Sequence, residues 1–201
     1  MTYVIGTQVQ ASDPVAMREN IAGLVRPKLV AAGAAYVDGH ETMVGGNSGE
    51  FTVGSRWDSV DNGLAALAAF YQDPDVIAAL EAAPAQVVGR AVGAVEGEAG
   101  TTTGSFAFLV AAMMATPDPS RTGDLVGDMN SQLTAHGCNG VRLIRTVVAG
   151  EATGGWVTVV YTDSIDAALK AVATTYTNEA MMGHFAALGI TITGRTIAAS
   201  L

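Results

Sequence analysis

Hydrophobic positions along this chain alternate between strand-like and helix-like spacing, and the same order of elements is predicted twice. β-Branched and aromatic residues cluster in short segments such as Tyr3–Gln10, which predicts strands. Apolar residues at intervals of three and four positions, as in Val60–Tyr71, predict helices. The predicted order in each half of the chain is β-α-β-β-α-β.

The first helix of each half has the same start signal. Asp13 precedes Pro14 and Asp118 precedes Pro119, so each predicted helix has Asp as its N-cap and Pro at its first position. Pro27 lies inside the first of these helices and is predicted to kink or break it near Leu24 and Val25.

A direct comparison of the chain with itself supports two equivalent halves. Gly49–Val95 aligns with Gly154–Ser200 at an offset of 105 without a gap, and 12 of the 47 pairs are identical. A repeat of this length indicates two small domains. We therefore predict a first unit over residues 1–95, a small polar linker over 96–104 and a second unit over 105–201.

Composition excludes several kinds of partner. Hydrophobic residues make up 49% of the 201 residues and charged residues 14%, which disfavours disorder. The net charge is −9 and the ten Lys and Arg residues are scattered, so we expect neither a nucleic-acid partner nor an anionic membrane surface. A single cysteine, Cys138, and the lack of a signal-peptide pattern predict a cytoplasmic location. The longest apolar run, Phe106–Ala115, is too short to span a membrane.

The element order is the ferredoxin-like arrangement, which places both helices on one face of an antiparallel sheet. The other face must be buried, and the second unit is the natural partner. The sequence thus predicts an α+β fold of two tandem ferredoxin-like units packed sheet to sheet. RNA-recognition modules share this order, but their stacking aromatics and basic surface are missing. Amino-acid-sensing modules usually have a Gly at the first strand–helix turn, where this chain has Asp13, Pro14 and Val15.

In element order, repeat length and the broken helices at residues 72–74 and 177–179, the chain resembles the dimeric α/β-barrel superfamily, with the dimer fused into one chain. The resemblance covers nearly all 201 residues. It implies an internal pseudo-dimeric barrel. It also implies kinship with antibiotic-biosynthesis-type monooxygenases that use no cofactor, haem-dependent and haem-degrading enzymes, lactone isomerases and stress-responsive proteins.

Polar residues on predicted strands are the candidates for ligand binding. Arg90 and Arg195 each follow a Gly in the last strand of their unit. They could face one shared cavity and bind a carboxylate, a phenolate or an oxyanion, or they could pair with nearby aspartates. Arg56 and Tyr161 occupy equivalent positions on the third strands and would make a shared site asymmetric, unless they are solvated strand ends.

Two tryptophans and one histidine, His184, complete the candidate set. Trp57 and Trp156 could form the walls of a pocket for a flat organic ligand, or they could pack in the core. His40, His136 and His184 show no metal-ligand spacing, so we predict no metal. His184 lies on a short helix where haem-using relatives carry a ligand, which leaves haem as an alternative to no cofactor.

Two functions remain open from the sequence. One is a cofactor-independent monooxygenase or isomerase that acts on a small hydrophobic organic molecule. The other is a non-catalytic ligand-binding, stress-response or assembly protein. A homo-oligomer of the fused pseudo-dimer is compatible with both.

Overall fold

In the computed structural model, which describes all residues from Met1 to Leu201, eight strands form one closed antiparallel barrel. The strands are β1 (Thr2–Ala11), β2 (Tyr36–Val44), β3 (Phe51–Trp57), β4 (Ala85–Gly100), β5 (Phe106–Met114), β6 (Cys138–Val148), β7 (Trp156–Thr162) and β8 (Ile190–Ser200). The helices are α1 (Pro14–Asn20), α2 (Arg26–Ala31), α3 (Val60–Phe70), α4 (Pro74–Ala82), α5 (Pro119–Ala135), α6 (Ile165–Thr175) and α7 (Glu179–Leu188).

The strand order around the barrel shows how the two halves of the chain meet. The first half contributes β4-β1-β3-β2 and the second half contributes β8-β5-β7-β6. The two sets join at their edges, where β2 pairs with β8 and β4 pairs with β6. The structure therefore has the predicted α+β barrel, and the strand faces without helices line its interior. Closure of the barrel leaves no strand edge unpaired.

Helices cover the outer faces of the strands and form two separate hydrophobic cores. The first core lies between α1–α3 and strands β1–β4 and includes Ile5, Phe51 and Leu67. The second core lies under α5–α7 and includes Phe108 and Leu125. Because the apolar side chains of each strand point toward these helices, the alternate side chains point into the barrel.

The start signals of the first helices are confirmed, and the helix changes its hydrogen-bonding pattern just before Pro27 without ending there. The Asp13 side chain accepts hydrogen bonds from the backbone of Val15 and Ala16, and Asp118 does the same at α5. Between α1 and α2 the chain forms a π-helical segment over Ile21–Val25, where the kink was predicted. No helix has the length and apolarity to cross a membrane.

The predicted linker is shorter in the structure. Strand β4 continues to Gly100, and Glu98 and Ala99 pair with β6. The small polar residues of this segment carry no strand signal of their own. They form a strand because they pair with β6, which lies in the other half of the chain. The division into two domains otherwise stays a prediction.

Gly63 of α3 allows Trp57 to pack in the first core. A Cβ atom at Gly63 would lie 2.5 Å from Ile5 Cδ1 and 2.9 Å from the Trp57 ring. At the equivalent positions of the second half the chain has Ala168 and the smaller Thr162, which fits this explanation.

Replacing Gly63 with Ala is therefore expected to lower the free energy of unfolding by about 1–3 kcal/mol through overpacking. Urea denaturation measures the change. The matched control is Gly127→Ala in α5, where no atom lies within 4 Å of the added carbon. That variant is expected to gain about 0.5–1 kcal/mol from helix propensity. Equal effects of the two substitutions would contradict this account of Gly63.

Candidate functional site

Strand β2 places ionisable side chains inside the barrel. Val37 packs in the first hydrophobic core, so its neighbours Tyr36 and Asp38 point to the opposite face. His40 follows on the same face as Asp38, and its Nε2 atom lies 3.3 Å from Asp38 Oδ2. The His40 residue is 9% exposed.

Asp38 forms an ion pair with Arg142, which comes from the opposite wall of the barrel. Strands β2 and β6 are four places apart in the eight-strand order, so they face each other across the interior. Arg142 of β6 reaches across, and its Nη1 atom lies 3.6 Å from Asp38 Oδ2. The Arg142 side chain is 4% exposed, so this ion pair is deeply buried.

Glu98 connects Arg142 to a second arginine. Arg142 Nε donates to Glu98 Oε1, and Arg56 Nη1 donates to Glu98 Oε2 at 2.7 Å. The Arg142 guanidinium also lies over the rings of Tyr36 and Tyr161, with centroids 5.0 and 5.4 Å away. We refer to these seven residues as the interior cluster: Tyr36, Asp38, His40, Arg56, Glu98, Arg142 and Tyr161.

Burial and charge shift the pKa values of this cluster. For Asp38 and Glu98, burial opposes ionisation, but it is outweighed. The hydrogen bond from His40 and the positive charge of Arg142 lower the pKa of Asp38, and hydrogen bonds and positive charges from Arg142 and Arg56 lower that of Glu98. Burial, with the Asp38 charge, raises the pKa of Tyr36 to about 12. Burial also raises the pKa of Tyr161, so both hydroxyl groups keep their protons at neutral pH.

The lowered carboxyl pKa values predict a loss of stability in acid. A group whose pKa is lower in the folded state stabilises the protein above its unfolded-state pKa, here 3.8 for Asp38 and 4.5 for Glu98. That stabilisation is lost as pH falls through the folded-state values. We expect the free energy of unfolding to fall between about pH 5 and pH 3, and to fall less steeply in Glu98→Gln. Urea denaturation across that range tests this, and equal slopes would contradict it.

A cavity of about 370 Å³ opens beside the interior cluster. Its lining includes Tyr36, Asp38, His40 and Tyr161 of the interior cluster, and also Arg26 and Val30 of α2 and the chain segments at residues 103–104 and 200–201. Three of the lining residues each have a buried polar atom without a hydrogen-bond partner: His40 Nδ1, Tyr161 Oη and Ser200 Oγ. Buried polar atoms are nearly always paired, so three unpaired ones around one cavity indicate a place for a polar ligand.

The structure places Arg56 and Tyr161 together in the interior cluster, but separates the other predicted arginines from it. Arg90 and Arg195 lie on the outer faces of β4 and β8. Arg90 donates to Tyr71 Oη at 3.0 Å, and Arg195 donates to Tyr176 Oη. The predicted shared cavity between Arg90 and Arg195 is therefore wrong, and so is the alternative pairing with aspartates. Each guanidinium instead lies over its tyrosine ring.

The tryptophans lie in the hydrophobic cores. Trp57 is 2% exposed in the first core and Trp156 is 4% exposed in the second, so neither lines the interior cavity. The core alternative for both tryptophans agrees with these positions.

His184 and the spaces under the helices do not fit haem. His184 Nε2 lies 2.9 Å from Asp128 Oδ2, on the outside of the barrel. The apolar cavities between helices and strands measure about 90 and 50 Å³, and His184 lines neither. Cofactor pockets need about 300 Å³ or more. The structure also has no group of three His, Cys, Asp or Glu side chains that could hold a metal ion.

Sequence reasoning missed five members of the interior cluster as site residues: Tyr36, Asp38, His40, Glu98 and Arg142. A usable signal existed. At the offset of 104 that relates Gly33 to Gly137, Asp38 aligns with Arg142, so opposite charges occupy equivalent strand positions.

Comparison with known proteins shows the fold. No protein-family model and no curated protein matches the sequence. A mutant chlorite dismutase from Candidatus Nitrospira defluvii has a TM-score of 0.61 at 9% identity, over 100% of this chain and 91% of that one. A haem-binding protein from Thermus thermophilus gives 0.60 at 12% identity, with the same coverage of 100% and 91%. A candidate monooxygenase from Lactobacillus acidophilus NCFM gives 0.56 at 8%, over 100% and 94%.

Another solved structure with this fold is that of an anthrone oxidase-like protein, with a TM-score of 0.52 at 11% identity, over 100% of this chain and 91% of that chain. The chain therefore has the fold of the dimeric α/β-barrel superfamily, which confirms the resemblance drawn from its element order. At these identities the likeness concerns the fold alone, and haem binding is a property of the Thermus thermophilus protein.

Proposed function

We propose that the barrel interior binds a small organic molecule with an acidic C–H or O–H group, and that His40 removes its proton. The observation that carries this proposal is that three residues lining one cavity each have a buried polar atom without a hydrogen-bond partner: His40 Nδ1, Tyr161 Oη and Ser200 Oγ. The cavity volume of about 370 Å³ lies within the range of ligand pockets.

Each of these groups has a role in the proposed reaction. A proton on His40 Nε2 is held toward Asp38 at 3.3 Å, which leaves the lone pair of Nδ1 to accept a proton from the ligand. The Tyr161 hydroxyl keeps its proton and donates to the ligand oxygen that becomes negative. Arg142 lies 5.4 Å from the Tyr161 ring and adds a fixed positive charge nearby.

This chemistry needs no cofactor. If the proton returns to another atom of the ligand, the reaction is an isomerisation. If the carbanion instead reacts with O2, the substrate is oxygenated. The names of similar structures, a candidate monooxygenase and an anthrone oxidase-like protein, favour oxygenation by analogy of fold. The non-catalytic alternative uses the same cavity to bind a ligand without turnover.

Anthrone is the probe for this proposal. Loss of a proton from its CH2 group gives a carbanion that reacts with O2, and anthrone plus O2 yields anthraquinone plus water. We expect the protein to accelerate O2 uptake and the appearance of anthraquinone absorbance, with one O2 consumed per anthrone. Saturable anthrone binding without acceleration would favour the non-catalytic alternative. If the protein neither binds anthrone nor accelerates its oxidation, anthrone-like substrates are excluded. Native mass spectrometry of the purified protein would then show any other retained ligand.

We also propose that the chain is a fused pair of ferredoxin-like units. The matching strand orders of the two halves and the repeat of 105 residues support this. A cytoplasmic location and a homo-oligomer of the fused pair stay predictions, and size-exclusion chromatography with light scattering would measure the oligomeric state.

A further inference from the structure

A second cavity of about 220 Å³ lies on the other side of His40, inside the same barrel. His40 lines both cavities and so separates them. The walls of this second cavity are rich in oxygen atoms from side chains. The residues that contribute them are Gln8, Thr42, Asn47, Glu50, Thr52 and Thr196.

Glu50 is the unusual residue of this cavity. It is 8% exposed, yet its carboxylate accepts no hydrogen bond, and no Lys, Arg or His nitrogen lies within 4 Å of it. The other carboxylates on these strands are paired: Glu41 with Arg18, and Glu98 with Arg56 and Arg142. Because the Glu50 carboxylate has no partner within the chain and its oxygens are open to the cavity, it is available to a positive group from outside the chain.

The hairpin between β2 and β3 holds Glu50 in this position. The Thr42 backbone N–H donates to the Glu50 carbonyl at 2.9 Å, which makes the two residues neighbours on the interior face. Gly45 and Gly46 form the turn with φ values of +79° and +66°, a conformation that favours glycine. The turn also lines the cavity, so the Glu50 carboxylate and the backbone of the turn share one cavity wall.

We propose that this cavity binds a small monovalent cation against Glu50, either an alkali ion or the ammonium group of a small amine. Carboxylate, amide and hydroxyl oxygens suit such cations. Divalent ions are disfavoured because Ca²⁺ and Mg²⁺ sites usually use more than one carboxylate, and no cluster of three such ligands exists here. A volume of about 220 Å³ holds an ion with several waters, at ~30 Å³ each, or a short amine. The net charge of −9 attracts cations to the protein.

Thermal unfolding in different chloride salts at one ionic strength tests the proposal. Tetramethylammonium chloride is the reference, because its cation is too bulky to meet the carboxylate closely. Potassium, sodium, ammonium and methylammonium chlorides are the probes. We expect at least one probe to raise the Tm of the wild-type protein in a saturable manner, because a ligand bound only to the folded state stabilises it. Response to potassium or sodium identifies an alkali-ion site, and response to ammonium and methylammonium alone identifies an amine site.

Glu50→Gln should weaken this response at least tenfold in cation concentration, whereas Glu151→Gln, a control at an exposed carboxylate, should leave it unchanged. In the reference salt Glu50→Gln should be at least as stable as the wild-type protein, because the uncompensated charge is gone. A wild-type Tm that is equal in all salts would overturn the proposal without any variant. An equal response in Glu50→Gln would overturn it as well. Neither outcome depends on the reaction proposed for His40.

Discussion

Replacement of Arg142 with Gln is expected to lower the free energy of unfolding by about 3–5 kcal/mol, the range for breaking a buried ion pair. The Arg142 side chain is 4% exposed and serves two acids, because it donates to Glu98 and lies 3.6 Å from Asp38. Without the guanidinium, two carboxylates would remain inside the barrel with too little positive charge. The stacking of Arg142 between Tyr36 and Tyr161 would also be lost.

Urea denaturation of Arg142→Gln and Arg145→Gln separates this effect from a general loss of charge. Arg145 is on the same strand and bonds Glu96 at 2.7 Å, but its side chain is 37% exposed. Its replacement is expected to cost less than about 1 kcal/mol, as for most exposed ion pairs. The defect of Arg142→Gln should shrink in acid, where Asp38 and Glu98 become protonated. Similar losses in the two variants at neutral pH would contradict a central role for Arg142.

The order of strands and helices could be predicted because it rests on local signals. Apolar spacing separates strands from helices within a few residues, and the Asp and Pro at 13–14 and 118–119 fix two helix starts. The superfamily resemblance followed from that order. The way the units join could not be predicted, because the pairs β2–β8 and β4–β6 link strands from different halves.

The interior cluster depends on those long-range pairs. Asp38 and Arg142 are 104 residues apart, and only closure of the barrel brings them to 3.6 Å. Glu98 lies among small polar residues that are typical of a linker, and its strand is evident only from its pairing with β6.

The arginines that are identical in the two halves lie outside the interior cluster. Arg90 and Arg195 are identical because each packs on an identical tyrosine outside the barrel. The interior positions differ between the halves, as Arg56 and Tyr161 do. An asymmetric interior is what one site shared by two similar units requires, so difference at equivalent positions predicts the site better than identity does.

Replacement of His40 with Gln is expected to reduce the turnover of anthrone by about 10²–10⁴-fold, the usual contribution of a general base. Gln can still donate an amide hydrogen to Asp38, but it offers no basic nitrogen to the cavity. Turnover number and KM come from O2 uptake and anthraquinone absorbance at a fixed pH. The loss should fall on kcat, because the proton moves in the chemical step.

The matched control is His184→Gln, because His184 has its own aspartate partner at 2.9 Å but lies outside the barrel and away from the interior cavity. Circular dichroism and urea denaturation should show both variants folded. Full activity in His184→Gln with loss in His40→Gln would place the reaction in the barrel interior. If His40→Gln keeps its activity within tenfold while His184→Gln loses it, the reaction belongs on the helical side of the second half. The interior cluster would then serve only to fill and stabilise the barrel interior. Its unpaired atoms would need another explanation, such as ordered water between His40 and Tyr161.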